Sequence, residues 1–143
     1  MRRAILQLMA GLAVIIAAAP AAGLDRREQR SVYVSAGQEA RIASYGAPDE
    51  RCRPGTWPEI EVTERPSYGT LVDKPVRIIA ERSGVARRDH PCLGKFIEAT
   101  AVYYRPVAGF RGSDRVRLRV KFNSVTSPGT ATTLEEEIFI SVR

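Results

Sequence analysis

The eight residues from Arg115 to Phe122 constrain the fold of this chain more than any others. Val116, Leu118, Val120 and Phe122 alternate there with Arg115, Arg117, Arg119 and Lys121. Successive side chains along a strand point to opposite faces, so the pattern predicts one strand of a sheet with a buried side and a wet side. The stretch before it, Tyr103 to Gly112, ends a strand in a Pro/Gly turn cluster. Together they set the class as an all-β sandwich but name no activity.

The N-terminus sets the compartment. Arg2 and Arg3 precede a nearly uninterrupted apolar run from Ala4 to Ala19. Ala19-Pro20-Ala21 then offers a small-x-small cleavage site before the polar Asp25-Arg26-Arg27. This is the pattern of a secretory signal peptide, residues 1–21, with cleavage expected after Ala21. An uncleaved anchor is the competing reading, although the run is short for the roughly 20 apolar residues a membrane span needs. No cysteine ends the run, which argues against a lipoprotein anchor. The expected location is periplasmic or secreted, with membrane attachment only if the signal segment stays uncleaved.

The exported part has about 120 residues, enough for one domain with one modest core. The whole chain carries 22 Lys and Arg against 16 Asp and Glu; without Arg2 and Arg3 the balance is 20 against 16, or +4. Both signs are mixed throughout, which suits solubility and a weak pull toward anionic surfaces. Nucleic acid is not an expected partner, since no dense basic cluster with aromatic or helical context is present. The two cysteines, Cys52 and Cys92, read as one disulfide in an oxidising compartment. Closing that loop stabilises a domain by roughly 4 kcal/mol in the chain-entropy description.

Turn signals divide the rest into about seven or eight short strands, with no helical periodicity outside the signal. Residues 22–30 read as a flexible charged lead-in, and residues 31–143 as the sandwich domain. Strands are expected within Ser31–Ser44 around a Gly37 turn, at Glu59–Thr63, at Thr70–Val72 and at Val76–Ala80. Lys95–Tyr104, Ser113–Phe122 and Leu134–Val142 follow. Lys95–Tyr104 has apolar residues on both faces and is expected to be central. Two long connections, Tyr45–Pro58 and Glu81–Gly94, carry one cysteine each; connections of that length are usually functional or pinned.

Pro66-Ser67-Tyr68-Gly69-Thr70-Leu71, followed by Tyr104-Arg105-Pro106-Val107-Ala108-Gly109-Phe110-Arg111-Gly112-Ser113-Asp114, resembles the bacterial cadherin-like and immunoglobulin-like repeats of surface proteins. The resemblance implies an immunoglobulin or cadherin-like β-sandwich and an adhesive or accessory role, although sandwiches host many roles. The chain departs from the family in being a single domain and in carrying cysteines in two loops. The acidic clusters that bind calcium at cadherin junctions are absent, so calcium is not implied. Independently of the family, Pro106 fixes φ and ends pairing, and Gly109 and Gly112 permit angles a β-carbon penalises. Phe110 is placed to plug the end of the core. Asp114 is placed to bond nearby backbone amides.

Several residues are candidates for chemistry. His90 with Cys52 and Cys92 could hold copper or zinc, but a disulfide beside a solvent-exposed histidine is the plainer reading. A hydrolase would have to use His90, the one histidine, without a nucleophile elbow. The cations Arg115, Arg117, Arg119 and Lys121 are expected to pair with Glu135 and Glu137, a solvated charge ladder; Arg117 and Arg119 are the anion- or glycan-binding candidates of that face. Trp57 with Tyr45 on the disulfide-tied loop is the best partner-binding candidate, since an exposed aromatic can stack on a sugar or anchor a protein.

The expectation is therefore a non-enzymatic exported binding or accessory module that engages an unidentified protein or glycan of the cell envelope, with no cofactor. The alternative is a structural envelope protein held by its charged sheet face. A metal carrier or enzyme using His90 ranks below both.

Overall fold

The alternating segment lies inside a four-stranded sheet, its apolar side turned to a second sheet of three strands. A computed structural model of the chain describes residues 26–124 and 129–143. The signal-peptide reading of residues 1–21 and the first part of the expected lead-in, 22–25, lie outside the described residues.

Seven strands run in chain order: β1 (Arg26–Val34), β2 (Ala40–Tyr45), β3 (Glu59–Glu64), β4 (Gly69–Ile79), β5 (Phe96–Pro106), β6 (Gly112–Asn123) and β7 (Ala131–Val142). The larger sheet has the order β1-β7-β6-β3 and the smaller β2-β5-β4. Every pairing is antiparallel except that of β1 with β7. No helix occurs among the described residues, and β5 is central in its sheet, as its two apolar faces require.

Two boundaries differ from the sequence reading. Arg26–Arg30 are not a lead-in but the first half of β1, registered on β7 from Leu134 to Ile138. A charged edge strand and a linker share the same composition, because an edge exposes its residues to water. The segments Thr70–Val72 and Val76–Ala80 are one strand, β4, running through Pro75. Proline is tolerated there because β4 is an edge strand and its missing N–H faces away from β5.

The main core is built from β6 and β7 (Val116, Leu118, Val120, Leu134, Ile138, Ile140) against Tyr45, Val102 and Tyr104 of the smaller sheet. A second cluster gathers Ile78, Ala80, Val85, Cys92, Ile97 and Ala99. Ile97 and Ala99 have the opposite parity to Val102 and Tyr104 along β5, so they occupy its other face. The loop carrying Cys92 thus covers the outer face of the smaller sheet at one end.

Gly69 of the first sequence motif is required by close approach: a β-carbon there would collide with the Tyr104 ring. The backbone entering β4 can pass over that ring only without a side chain.

Candidate functional site

The long connections meet at one end of the sandwich, where the Cys52–Cys92 disulfide joins them. Around the first cysteine the chain is tightly fixed. The Asp49 carboxylate accepts the amides of Arg51 and Arg53 at 2.9 Å each and pairs with the Arg53 guanidinium at 2.7 Å. These bonds, the Arg53 amide first, hold its carboxyl below the usual carboxylate range. Cys52 takes a left-handed φ of 65°, and its amide closes the turn on the Asp49 carbonyl at 3.0 Å.

The second loop is anchored by the supposed lead-in. Arg26 reaches the carbonyls of Ser83, Val85 and Ala86 at 3.1–3.4 Å, and Glu28 pairs with Arg88 at 2.9 Å. The amide of Gly46 donates to the Gly84 carbonyl at 2.7 Å, tying this loop to the end of β2. The second loop is therefore positioned by β1 and by the chain leaving β2 as well as by the disulfide.

Between the loops and the β6–β7 end lies an open cleft of about 630 Å³, whose polar wall is Asp49, Glu50, Arg51, Arg53, Arg87 and His90. Arg87 pairs with Glu50 at 3.3 Å and Asp89 at 3.5 Å, while the Arg51 guanidinium meets no carboxylate among the described residues. His90 is buried rather than solvent-exposed, because its Nδ1 accepts the Cys92 amide at 3.2 Å. That bond leaves Nε2 as its protonated nitrogen when the ring is neutral. Both sulfurs are consumed in the disulfide, so neither cysteine is a thiolate ligand. Among the described residues no three His, Cys, Asp or Glu side chains converge as a metal site.

The expected aromatic pair is not assembled. Trp57 stays 54% exposed, in a shallow dent with Pro54 and Glu98. Tyr45 is fully buried, and its hydroxyl donates to Glu136 of β7. Burial and that carboxylate push the phenol far above its ordinary range, so it remains a donor. Tyr45 belongs to the core and cannot touch a partner.

Arg117 and Arg119 do lie on an exposed face, in a ladder wider than expected. Arg117 meets Glu137 at 2.9 Å and Glu64 at 3.3 Å; Arg119 meets Glu61 at 3.1 Å and Glu135 at 3.4 Å. The β3 carboxylates on the far side of β6 are the part the sequence reading missed, since β3 pairs with β6 across more than 50 residues. Arg27, Arg115, Arg117, Arg119 and Lys121 stand against Glu59, Glu61, Glu64, Glu135 and Glu137, five of each sign. Such a face is paired within itself and carries no surplus charge for an anion.

No family model matches the chain, and neither a curated protein nor a solved structure matches it. The disulfide fits an oxidising, exported environment.

Proposed function

We propose that this protein is a non-enzymatic exported binding module, periplasmic or secreted, that engages a protein or glycan of the cell envelope through its disulfide-tied loop end. The observation that carries the reading is the 630 Å³ cleft walled by two loops whose backbones are fixed by the disulfide, Asp49 and Arg26. A wall fixed before binding loses little entropy when a partner arrives. Arg51, whose guanidinium meets no carboxylate among the described residues, supplies a polar contact, and Trp57 on the same loop an exposed aromatic. The balanced ladder on the larger sheet favours no separate reading based on a charged face.

We also propose that the sandwich is of the immunoglobulin or cadherin-like type. Its β2-β5-β4 and β7-β6-β3 orders correspond to the BED and GFC strand orders of immunoglobulin domains. The first strand joins the last in parallel instead of pairing with β2.

The test is affinity capture from the native envelope with immobilised protein, comparing wild type with Trp57→Ala and Arg51→Glu at matched folding. Capture is expected to fall in both variants. Unchanged capture by both would remove the loop end as the working surface.

A further inference from the structure

At the end of the sandwich opposite the disulfide, the β3–β4 connection (Arg65, Pro66, Ser67, Tyr68) lies against the β5–β6 connection (Val107 to Arg111). The two are locked together. The Tyr68 and Phe110 rings stack at 4.4 Å and 9°, and the Val107 amide donates to the Tyr68 carbonyl at 2.8 Å. Asp114 accepts the amides of Ser67 and Tyr68 at 2.9 Å each.

This rigid tip exposes apolar surface. Val107 is 51% and Tyr68 49% exposed, with Ala108 and Gly109 exposed between Val107 and Phe110. The Val107–Phe110 turn is tight, its Phe110 amide bonded to the Val107 carbonyl at 3.1 Å. The apolar groups therefore project from turn tips rather than line a groove.

Its charge is one-signed. The two connections contain Arg65 and Arg111 and no carboxylate, and neither guanidinium meets a carboxylate among the described residues. The acids that border the tip are already committed, Glu64 next to Arg65 being paired with Arg115 and Arg117. Asp114 is buried, and Glu39 is held by both Lys74 and Arg105. By contrast, the disulfide loops interleave acids and bases.

We propose that this tip docks the protein on an anionic phospholipid bilayer, with Val107, Ala108 and Tyr68 entering the headgroup boundary and Arg65 and Arg111 meeting lipid phosphates. Apolar groups ringed by cations are the chemistry that binds such an interface: apolar burial adds to electrostatic attraction. Tyrosine favours the headgroup level, where its ring and hydroxyl are both satisfied. A projecting, acid-free tip suits a deformable anionic surface better than a glycan, which needs a groove or flat platform. Docked this way, the protein presents its disulfide loops away from the bilayer, toward the envelope. The inference does not rest on the loop-end reading.

The test is co-sedimentation of the protein, purified after export, with vesicles of phosphatidylcholine alone or with added phosphatidylglycerol. Binding is expected only with phosphatidylglycerol and should weaken as salt rises. Arg65→Ser and Arg111→Ser should each lower partition about fivefold, and Val107→Asp should lower it further. All three positions are exposed, so an unchanged urea midpoint is the folding check. The N-terminus left by export is common to every variant, so any binding it confers cancels in the comparison between variants. Equal binding to phosphatidylcholine alone, or partition indifferent to all three changes, would overturn the proposal. So would preference for soluble poly-glutamate over the vesicles, which would make the partner an acidic polypeptide. Retained envelope capture by the tip variants separates failure here from failure of the loop-end reading.

Discussion

The Tyr104 hydroxyl donates to the Asp114 carboxylate at 2.9 Å, fastening the central strand of the smaller sheet to the start of β6 in the larger. The same carboxylate accepts the amides of Ser67, Tyr68 and Arg115. One buried side chain therefore orders both turns of the sequence motif. The motif's spacing follows from this: Tyr104 lies two residues before the end of β5, Asp114 two residues after the start of β6, and Val107 to Arg111 form the corner between them.

Tyr104→Phe is expected to cost about 1.5–3 kcal/mol, the usual range for a hydrogen bond to a charged group. Asp114→Ala should cost more, because it also leaves two turn amides without their acceptor. The double variant should be little worse than Asp114→Ala alone, since the pair acts as a unit. Urea unfolding of the four proteins measures this. Fully additive losses would mean that the hydroxyl and the carboxylate act independently.

Much of this was legible in the sequence because it is local. Alternation in β6 declares its faces directly, and Asp114 sits beside the Val107–Arg111 turn, whereas the Ser67–Tyr68 turn that it also orders lies 46–47 residues away and could not be paired with it from sequence. Glu136 is legible as an inward residue, but its two partners are not. It shares parity with Leu134, Ile138 and Ile140, so the period-2 rule already turned it inward. The partners of a buried carboxylate, here Arg30 and Tyr45, lie 106 and 91 residues away and leave no local signal. Tyr45 could not be placed the same way, because the carboxylate that keeps its hydroxyl satisfied lies 91 residues away. Its neighbours Gly46 and Pro48 read as loop, which made a core residue look like a surface one.

That buried group gives a second prediction. Glu136 is 2% exposed and takes hydrogen bonds from Arg30 of β1 and Tyr45 of β2, linking the two sheets through the core. Glu136→Ala should destabilise by about 3–5 kcal/mol, because it strands a largely buried guanidinium and a buried hydroxyl. The triple replacement Arg30→Met, Tyr45→Phe, Glu136→Leu should recover most of that loss, since no polar group is then left unpaired. A triple variant as unstable as Glu136→Ala would show that the network does more than satisfy itself.

The disulfide lies outside the main core, and its removal should be felt locally. Replacing Cys52 and Cys92 with serine should cost about 4 kcal/mol by loop closure. The exchange pattern is more diagnostic than the total. Amides in the two disulfide-tied loops should lose hydrogen-exchange protection, while β6 and β7 stay slow in proportion to the remaining global stability. Uniform loss in every strand would mean that the second cluster and the main core unfold as one unit.

The anchoring of the second loop by Arg26 is the feature least visible in the sequence, because the guanidinium spends its hydrogen bonds on carbonyls 57–60 residues away. Carbonyl acceptors leave no residue-type signature. Arg26→Ala should free the loop around Arg87 and Arg88, both exposed, and so quicken tryptic cleavage there. The urea midpoint should move far less than in the Glu136 variants. Cleavage at the wild-type rate would show that the disulfide alone positions the loop.

Acid should weaken the protein in a definite window. Glu137, bonded by Arg117, Glu39, bonded by Lys74, and Asp49, bonded by the Arg53 amide, all have carboxyls held below their ordinary values. A carboxyl depressed on folding contributes stability that is fully present above its unfolded value and is lost as pH falls through the folded one. The melting temperature should therefore be level from neutral pH down to the ordinary carboxylate range near 4 and fall below it. Glu137→Gln should lower the neutral plateau slightly, since exposed pairs are individually weak, and should also flatten the acid decline. Melting curves across that range decide it: an acid decline as steep in Glu137→Gln as in wild type would place the titrating groups elsewhere.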